Sequence, residues 1–471
     1  MMFKTLTVSK SQVYKRSASQ GRQVVNAQNR TITKSYSFTL ILLLLTTATL
    51  HAQGDINKLN RAKEFYKNGQ YEIAYNLIYA DSDLRIGNAD AQLLLALSKY
   101  HLNELEEAER RLKKLVNNPK QSFRETLLYL GRIYHAKHEF QEASKYYKSY
   151  LKLLPVNHPH RGFTTDAIRR CANGLQIQYQ EGLAFVENLG EAVNSKYDEF
   201  GPVLSPNFSN RLYFSSARPG STGGRRGENG QPDDVLGKYR YDMFSAVSLS
   251  GKWKSTQPLH YFLNTSQNEV ALGFNTSGKV LYYYRGSGLD NGAIYVDTFR
   301  QGRQQLITEP LFGPVDPIAG ISAPHFADNN RVIFASRRAG GYGGYDLYQV
   351  TLVNGEWSIA QNLGPSVNTP YDEVSPFLAR DGQTLYFSSN NRDNSLGGMD
   401  VFKTVYNAQR RAWSKPFNLG LPVNSAGDDS HFRLAKDGYT AYFSSNRKDS
   451  FGMRDLYIAY FYDFLPETQV R

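Results

Sequence analysis

The chain has 471 residues, a formal charge of +12 and 41% hydrophobic residues, with 33 tyrosines and 26 phenylalanines. Such a length accommodates about two to four domains, and 21% charged beside 13% aromatic residues excludes a wholly disordered chain. A single cysteine, Cys171, excludes intrachain disulfides and cysteine-based metal clusters.

The chain opens on a basic segment containing Lys4, Lys10, Lys15, Arg16, Arg22, Arg30 and Lys34, and its first acidic residue is Asp55. An apolar run, Phe38 to Leu50, follows and leads into His51-Ala52-Gln53. As a helix this run would rise about 20 Å, short of a hydrocarbon core of about 30 Å. Residues 1–52 therefore read as a secretory signal peptide, with an interfacial or buried helix as the alternative. Cleavage after Ala52 would lower the net charge to about +5, which removes most of the electrostatic case for a nucleic-acid partner. No cysteine adjoins the apolar run, so a bacterial lipoprotein anchor is not expected. The expectation is an exported, soluble protein of the periplasm, associated with the outer membrane only through partners.

Residues 56–180 read as helical hairpins. Tyr66, Tyr71 and Ala74 recur as Tyr100, Leu105 and Ala108, and again as Tyr134, Phe140 and Ala143. Small alanines let paired helices approach, while aromatics fill the groove between hairpins. The third copy, with Leu127, Leu130-Gly131, Tyr134, Ala143, Tyr147 and Pro155, has the spacing of a tetratricopeptide repeat. A closing helix is predicted over Thr165 to Tyr179, with Thr165 and Asp166 as caps. An ordinary helical bundle is the alternative.

Residues 181–464 repeat about every fifty positions, and residues 465–471 are left as a tail. The markers Glu199, Glu269, Ser322, Glu373 and Asp429 each precede an apolar strand, such as Leu385-Tyr386-Phe387-Ser388-Ser389. A turn and a further strand come next, opening at Asp242, Asp346, Asp400 and Asp455, where the aspartate is expected to cap the turn. The three tryptophans, Trp253, Trp357 and Trp413, share one repeat position. Four short strands per unit and five units predict a five-bladed β-propeller, a sixth degenerate blade being the alternative. The segment from Glu181 to Gly190 resembles the outer strand that the last unit lacks, so it is expected to complete the last blade and close the ring.

The wording from Asp372 to Phe402, Ser-Pro-Phe, Asp-Gly, Leu-Tyr-Phe-Ser-Ser and Gly-Gly-Met-Asp-Val-Phe, resembles the WD40-like repeats of TolB-type periplasmic propellers. A signal peptide, tetratricopeptide repeats and such a propeller, in that order, are similar to envelope proteins of the type IX secretion and gliding machinery. The resemblance implies a scaffold that binds other envelope proteins. In such proteins a peptidoglycan-binding OmpA-like domain usually follows; this sequence stops at Arg471, so direct peptidoglycan binding is not carried over.

Two charged rows recur around the ring: Glu199, Glu269, Glu373 and Asp429, and Arg218, Arg285, Arg337, Arg392 and Arg447. They read as salt bridges and turn contacts, or as a recognition ring at one mouth. The first blade also carries about sixteen extra residues between Ser216 and Asp242, with Arg225, Arg226, Glu228, Asp233 and Asp234. Such a loop on a rigid scaffold is either a docking element or a tolerated insertion. No nucleophile elbow, metalloprotease helix, phosphate loop or calcium-loop spacing is found, so neither catalysis, metal nor cofactor is expected. A propeller enzyme or a carbohydrate-binding lectin using the ring's mouth remains the competing function.

Overall fold

The computed structural model describes residues 56–117, 124–224, 239–254, 256–288, 292–298, 309–310 and 321–465. The expected signal peptide, the charged residues Arg225 to Asp234 of the first-blade loop, and residues 466–471 lie outside them.

Residues 56–67 form helix α1, followed by α2 (Tyr71–Tyr79), the short α3 (Ser82–Gly87), α4 (Ala89–His101), α5 (Leu105–Val116), α6 (Arg124–Ala136), α7 (Phe140–Leu153) and α8 (His160–Ile177). The turns after α1, α4 and α6 place Gly69, Asn103 and His138 in the left-handed region. There the amides of Gln70, Glu104 and Glu139 donate back to the carbonyls of Phe65, Lys99 and Tyr134, which satisfies the otherwise unpaired end of each helix. Ala74, Ala108 and Ala143 are fully buried. Gly131 lies against the Tyr147 ring and Gly174 against the Phe140 ring, so close that a methyl group would collide with either. The last helix begins at His160 rather than Thr165, because Pro159 presets a helical φ of −56° one turn earlier. Thr164 and Thr165 consequently sit inside α8, their hydroxyls donating to the carbonyls of His160 and Arg161.

The remaining described residues form five antiparallel sheets, the five blades of a propeller. The first holds β2 (Glu199–Leu204), β3 (Arg211–Ser216), β4 (Asp242–Leu249), β5 (Lys252–Trp253) and β6 (Gln257–Pro258), and the second β7 (Asn268–Phe274), β8 (Leu281–Gly286), β9 (Gly292–Asp297) and β10 (Glu309–Pro310). The third holds β11 (Ile321–Asp328), β12 (Arg331–Ser336), β13 (Asp346–Val353), β14 (Glu356–Trp357) and β15 (Gln361–Asn362). The fourth holds β16 (Glu373–Leu378), β17 (Thr384–Ser389), β18 (Asp400–Asn407), β19 (Ala412–Trp413) and β20 (Phe417–Asn418). The fifth joins β21 (Asp429–Leu434), β22 (Thr440–Ser445) and β23 (Asp455–Phe461) to β1 (Ala184–Asn188), which pairs with β23 from Ala184 opposite Phe461 to Asn188 opposite Tyr457. The segment before the first blade thus closes the ring. The tryptophans occupy one register, opposite Ser248, Leu352 and Tyr406.

Hydrophobic clusters fill the joints between blades rather than one common centre. One cluster joins Tyr386 and Val401 of the fourth blade to Phe432 and Phe443 of the fifth, and another joins Phe214 and Phe244 of the first to Tyr442 and Ile458 of the fifth. The backbone crosses the same joints. The amides of Glu199, Glu269, Glu373 and Asp429 donate to the carbonyls of Arg454, Tyr241, Tyr345 and Met399, each in the preceding blade.

Candidate functional site

The repeating polar residues build a frame around each turn. Asp346, Asp400 and Asp455 accept the amides of Tyr342, Leu396 and Phe451, and each also accepts an amide side chain, from Asn362, Asn418 and Asn188 respectively. A second asparagine, buried in each case, imitates a strand: Asn194, Asn368 and Asn424 exchange hydrogen bonds with the backbone of Leu456, Leu347 and Val401. The spacing Asn-Leu-Gly-x-x-x-Asn carries this device, and it was readable in the sequence as a repeat but not as a function. Burial, opposed by amide donors, raises the carboxyl of Asp400 to about 7 and those of Asp242 and Asp455 to about 6.

The acidic row is buried, not displayed: Glu199, Glu269, Glu373 and Asp429 are all fully inaccessible. Ser195, Thr265, Thr369 and Ser425 donate to them through hydroxyl and amide. Arg218, Arg285 and Arg447 pair with Glu199, Glu269 and Asp429 at 3.0, 3.1 and 2.6 Å within their own blades. Burial pushes the Glu199 and Glu269 carboxyls up, against the pull of these arginines.

Strand register revises the alignment of both rows. Ile321, not Ser322, stands opposite Ser336 as Glu199, Glu373 and Asp429 stand opposite Ser216, Ser389 and Ser445. Arg285 occupies the register of those serines, opposite Glu269. Arg338, two residues past Ser336, takes the place that Arg218 and Arg447 take past Ser216 and Ser445, each donating Nε to its serine hydroxyl. Arg337 instead lies over the Tyr345 ring. Arg392 donates its Nε to the Tyr371 hydroxyl at 2.8 Å, lies over that ring and pairs with Asp166 of α8 at 2.7 Å. Arg337 stands one residue past its serine and Arg392 three, so neither falls at the position two residues on that Arg218, Arg338 and Arg447 occupy.

That last pair belongs to a joint between the helices and the propeller. Asn103 at the α4–α5 turn donates to the carbonyls of Lys448 and Ser450 at 3.0 and 2.7 Å. His135 lies 2.7 Å from the Leu396 carbonyl, and Asn173 donates to those of Arg392 and Ser395. Burial first, then the Arg170 charge, lowers the His135 imidazole to about 4, so near neutral pH it is uncharged and donates to Leu396. These contacts seat the helices on the loops between the second and third strands of the fourth and fifth blades. Sequence signals do not reveal such pairs, which lie more than two hundred residues apart.

Between the two parts lies a cleft of about 440 Å³, lined by Tyr71, His101, Arg132 and Arg170 from the helices and by Lys448 and Met453 from the fifth blade, among others. The Tyr71 ring stacks on His101 at 4.4 Å, and Arg132 lies over Tyr129 and Phe163 at about 5 Å. Such a surface, aromatic and cationic, suits a polypeptide segment carrying carboxylates. Cys171 is buried in the helical core and its thiol is pushed up to about 12 by burial, which makes it unreactive. Among the described residues no group of three or more metal-ligating side chains converges, and no helix is long and apolar enough to cross a membrane.

No protein-family model matches the chain, and no curated protein matches it. Among solved structures it is similar to a protein assigned as TolB in Agrobacterium tumefaciens, at 14% identity and a TM-score of 0.34, over 59% of this chain and 96% of that one. TolB from Acinetobacter baumannii is similar at 13% identity and a TM-score of 0.33, over 66% of this chain and 71% of that one. An α-L-arabinofuranosidase from Lactobacillus brevis is similar at 13% identity and a TM-score of 0.34, over 57% of this chain and 91% of that one.

Proposed function

We propose that the protein is a non-catalytic scaffold of a bacterial cell envelope, exported to the periplasm, in which tetratricopeptide-type hairpins and a propeller jointly hold other envelope proteins. The observation that carries this reading is the cleft shared by helices and propeller, whose walls come from both parts and whose aromatic and cationic lining suits a protein segment. The resemblance of the repeats to TolB-type propellers and to type IX secretion proteins directs the search for partners to secretion or outer-membrane assembly complexes. The first-blade loop is a second docking element in this reading, beside the cleft.

Crosslinking in intact envelopes followed by affinity recovery tests it. Envelope proteins are expected to be recovered with the wild type. Substituting Arg132 and Lys448 by glutamate should reduce their recovery, as should replacing residues 225–238 with a short Gly/Ser turn. The bridge between Gly224 and Tyr239 closes the base of that loop, so the replacement should leave folding intact. A chain retained in the cytosol, or measured turnover of a substrate with no protein recovered, would refute the proposal.

A further inference from the structure

All five blades carry a stacked aromatic pair between their second and third strands: Phe214–Phe244, Tyr283–Tyr295, Phe334–Tyr348, Phe387–Phe402 and Phe443–Tyr457, with centroids 5.8–6.1 Å apart. In four blades a guanidinium of the chain covers that pair. Arg218, Arg285, Arg338 and Arg447 lie 4.7–5.5 Å from the ring centroids. The fifth blade shows the complete arrangement. Arg447 donates to Ser445 Oγ at 3.0 Å, to the carbonyls of Pro422 and Val423 at 2.9 and 2.6 Å, and to Asp429 at 2.6 Å.

The fourth blade has every part of this receptor except the arginine. The residue two past Ser389 is Asn391, whose amide donates to Ser389 Oγ at 3.1 Å as that of Arg447 does to Ser445 at 3.2 Å. The backbone turn is thus the same, but the side chain is too short to reach the rings. The next residue, Arg392, is engaged by Asp166 of α8. What remains is a hollow of about 360 Å³ over Phe387 and Phe402, lined by Ser366, Val367, Glu373 and Ser389 among others, with Lys415 exposed at its rim. Through the Asn-Leu-Gly spacing, Ser366 and Val367 correspond to Pro422 and Val423, whose carbonyls hold Arg447. Glu373 is fully buried and accepts only from Thr369 and Ser389 among the described residues. Burial, which those donors only partly offset, raises its carboxyl to about 7, with nearby Asp346 pushing the same way.

We propose that this hollow in the fourth blade binds the guanidinium of an arginine side chain presented by a partner polypeptide. The choice of guanidinium follows from the acceptors: a carboxylate and two backbone carbonyls around a stacked aromatic floor match a planar fork of donors, as three sister arginines demonstrate with their own carboxylates or carbonyls. An ammonium, such as that of Lys415, offers a point charge in place of the fork. The polypeptide source rests on the scaffold reading; the chemistry of the hollow does not.

The probe is N-acetyl-arginine amide, titrated by calorimetry into the full chain, with the isosteric but neutral N-acetyl-citrulline amide as the control. The wild type is expected to bind the arginine probe saturably and the citrulline probe at least tenfold more weakly. Asn391→Arg supplies the missing side chain and should weaken probe binding at least tenfold while the melting temperature holds or rises. Should that variant fail to fold, Glu373→Gln gives the answer, since it should also weaken binding at least tenfold. No saturable binding by the wild type, equal binding of the two probes, or unaltered binding by a folded variant would overturn the assignment. The measurement uses no partner protein, so failure of this site and failure of the scaffold reading are separate results.

Discussion

Glycines at the blade joints show how little tolerance single residues have. A Cβ on Gly397 would land on the carbonyls of Ser425 and Gly427 in the next blade, and one on Gly452 would meet the Tyr197 carbonyl in the same way. Backbone, unlike a flexible side chain, cannot step aside. Gly397→Ala is therefore expected to destabilise the protein by about 1–3 kcal/mol, the usual range for overpacking. Gly162 lies in α8 with no atom within 4 Å of its would-be Cβ, so Gly162→Ala should stabilise it by up to about 1 kcal/mol. Chemical denaturation of the two variants checks the contrast; equal effects would refute the steric argument. Single residues also explain the misplaced charges. Asn391 and Arg392 exchange the roles that a simple count assigns, since strand register, and not distance along the chain, decides which side chain enters the blade.

Strand β1 has a different kind of importance. Its own sequence, Ala184 to Asn188, contributes one buried residue, Ala184, to the joint beside it, yet its backbone pairs with β23 from Tyr457 to Phe461. Asn188 further ties the Asp455 carboxylate and, through Asn194, the Leu456 carbonyl. Deleting residues 181–190 should leave β23 as an open edge bearing Tyr457 and Phe461. Unpaired edges of that kind template association, so the truncated chain is expected to aggregate and melt at a lower temperature. Light scattering and thermal denaturation would show it; unchanged behaviour would mean that β1 is dispensable for closure. At this scale the helical turns follow the same logic, because left-handed Gly69, Asn103 and His138 end their helices by local hydrogen bonds. Asn103 then does a second task at the propeller that its local role gives no hint of.

Across the whole molecule, buried titrating groups give stability a pH optimum. Asp400 and Glu373 sit at about 7 and Asp242 and Asp455 at about 6, all above the ordinary carboxylate range, with burial as the leading cause. At these carboxyls the folded chain therefore holds more protons than the unfolded chain between about pH 4 and 7, and the stability they contribute is lost as pH rises through 7. His101, His135 and His138 are lowered by burial to about 4, so the unfolded chain takes their protons first and stability is lost as pH falls below about 6.5. Melting temperatures are expected to decline from pH 6.5 to 8, and Asp400→Asn should flatten that decline. A profile rising towards pH 8 would contradict the buried-carboxylate account.

The architecture was legible in the order of the amino acids. Apolar runs at a fifty-residue period, turn aspartates and one register of tryptophans specify five blades, and a spare strand at Ala184 to Asn188 matches the one strand missing from the last. These are local signals, because each blade must bury the same faces and end in the same turns. The hairpins were legible for the same reason, through alanines and tyrosines recurring at helical spacing. Where the charges go depends instead on how the helices and blades pack together. Arg218 and Arg392 look alike in the sequence, yet one pairs with buried Glu199 in its own blade and the other pairs with Asp166 of α8. That choice depends on a helix more than two hundred residues away, and a long-range electrostatic partner leaves no mark on the residues flanking either charge.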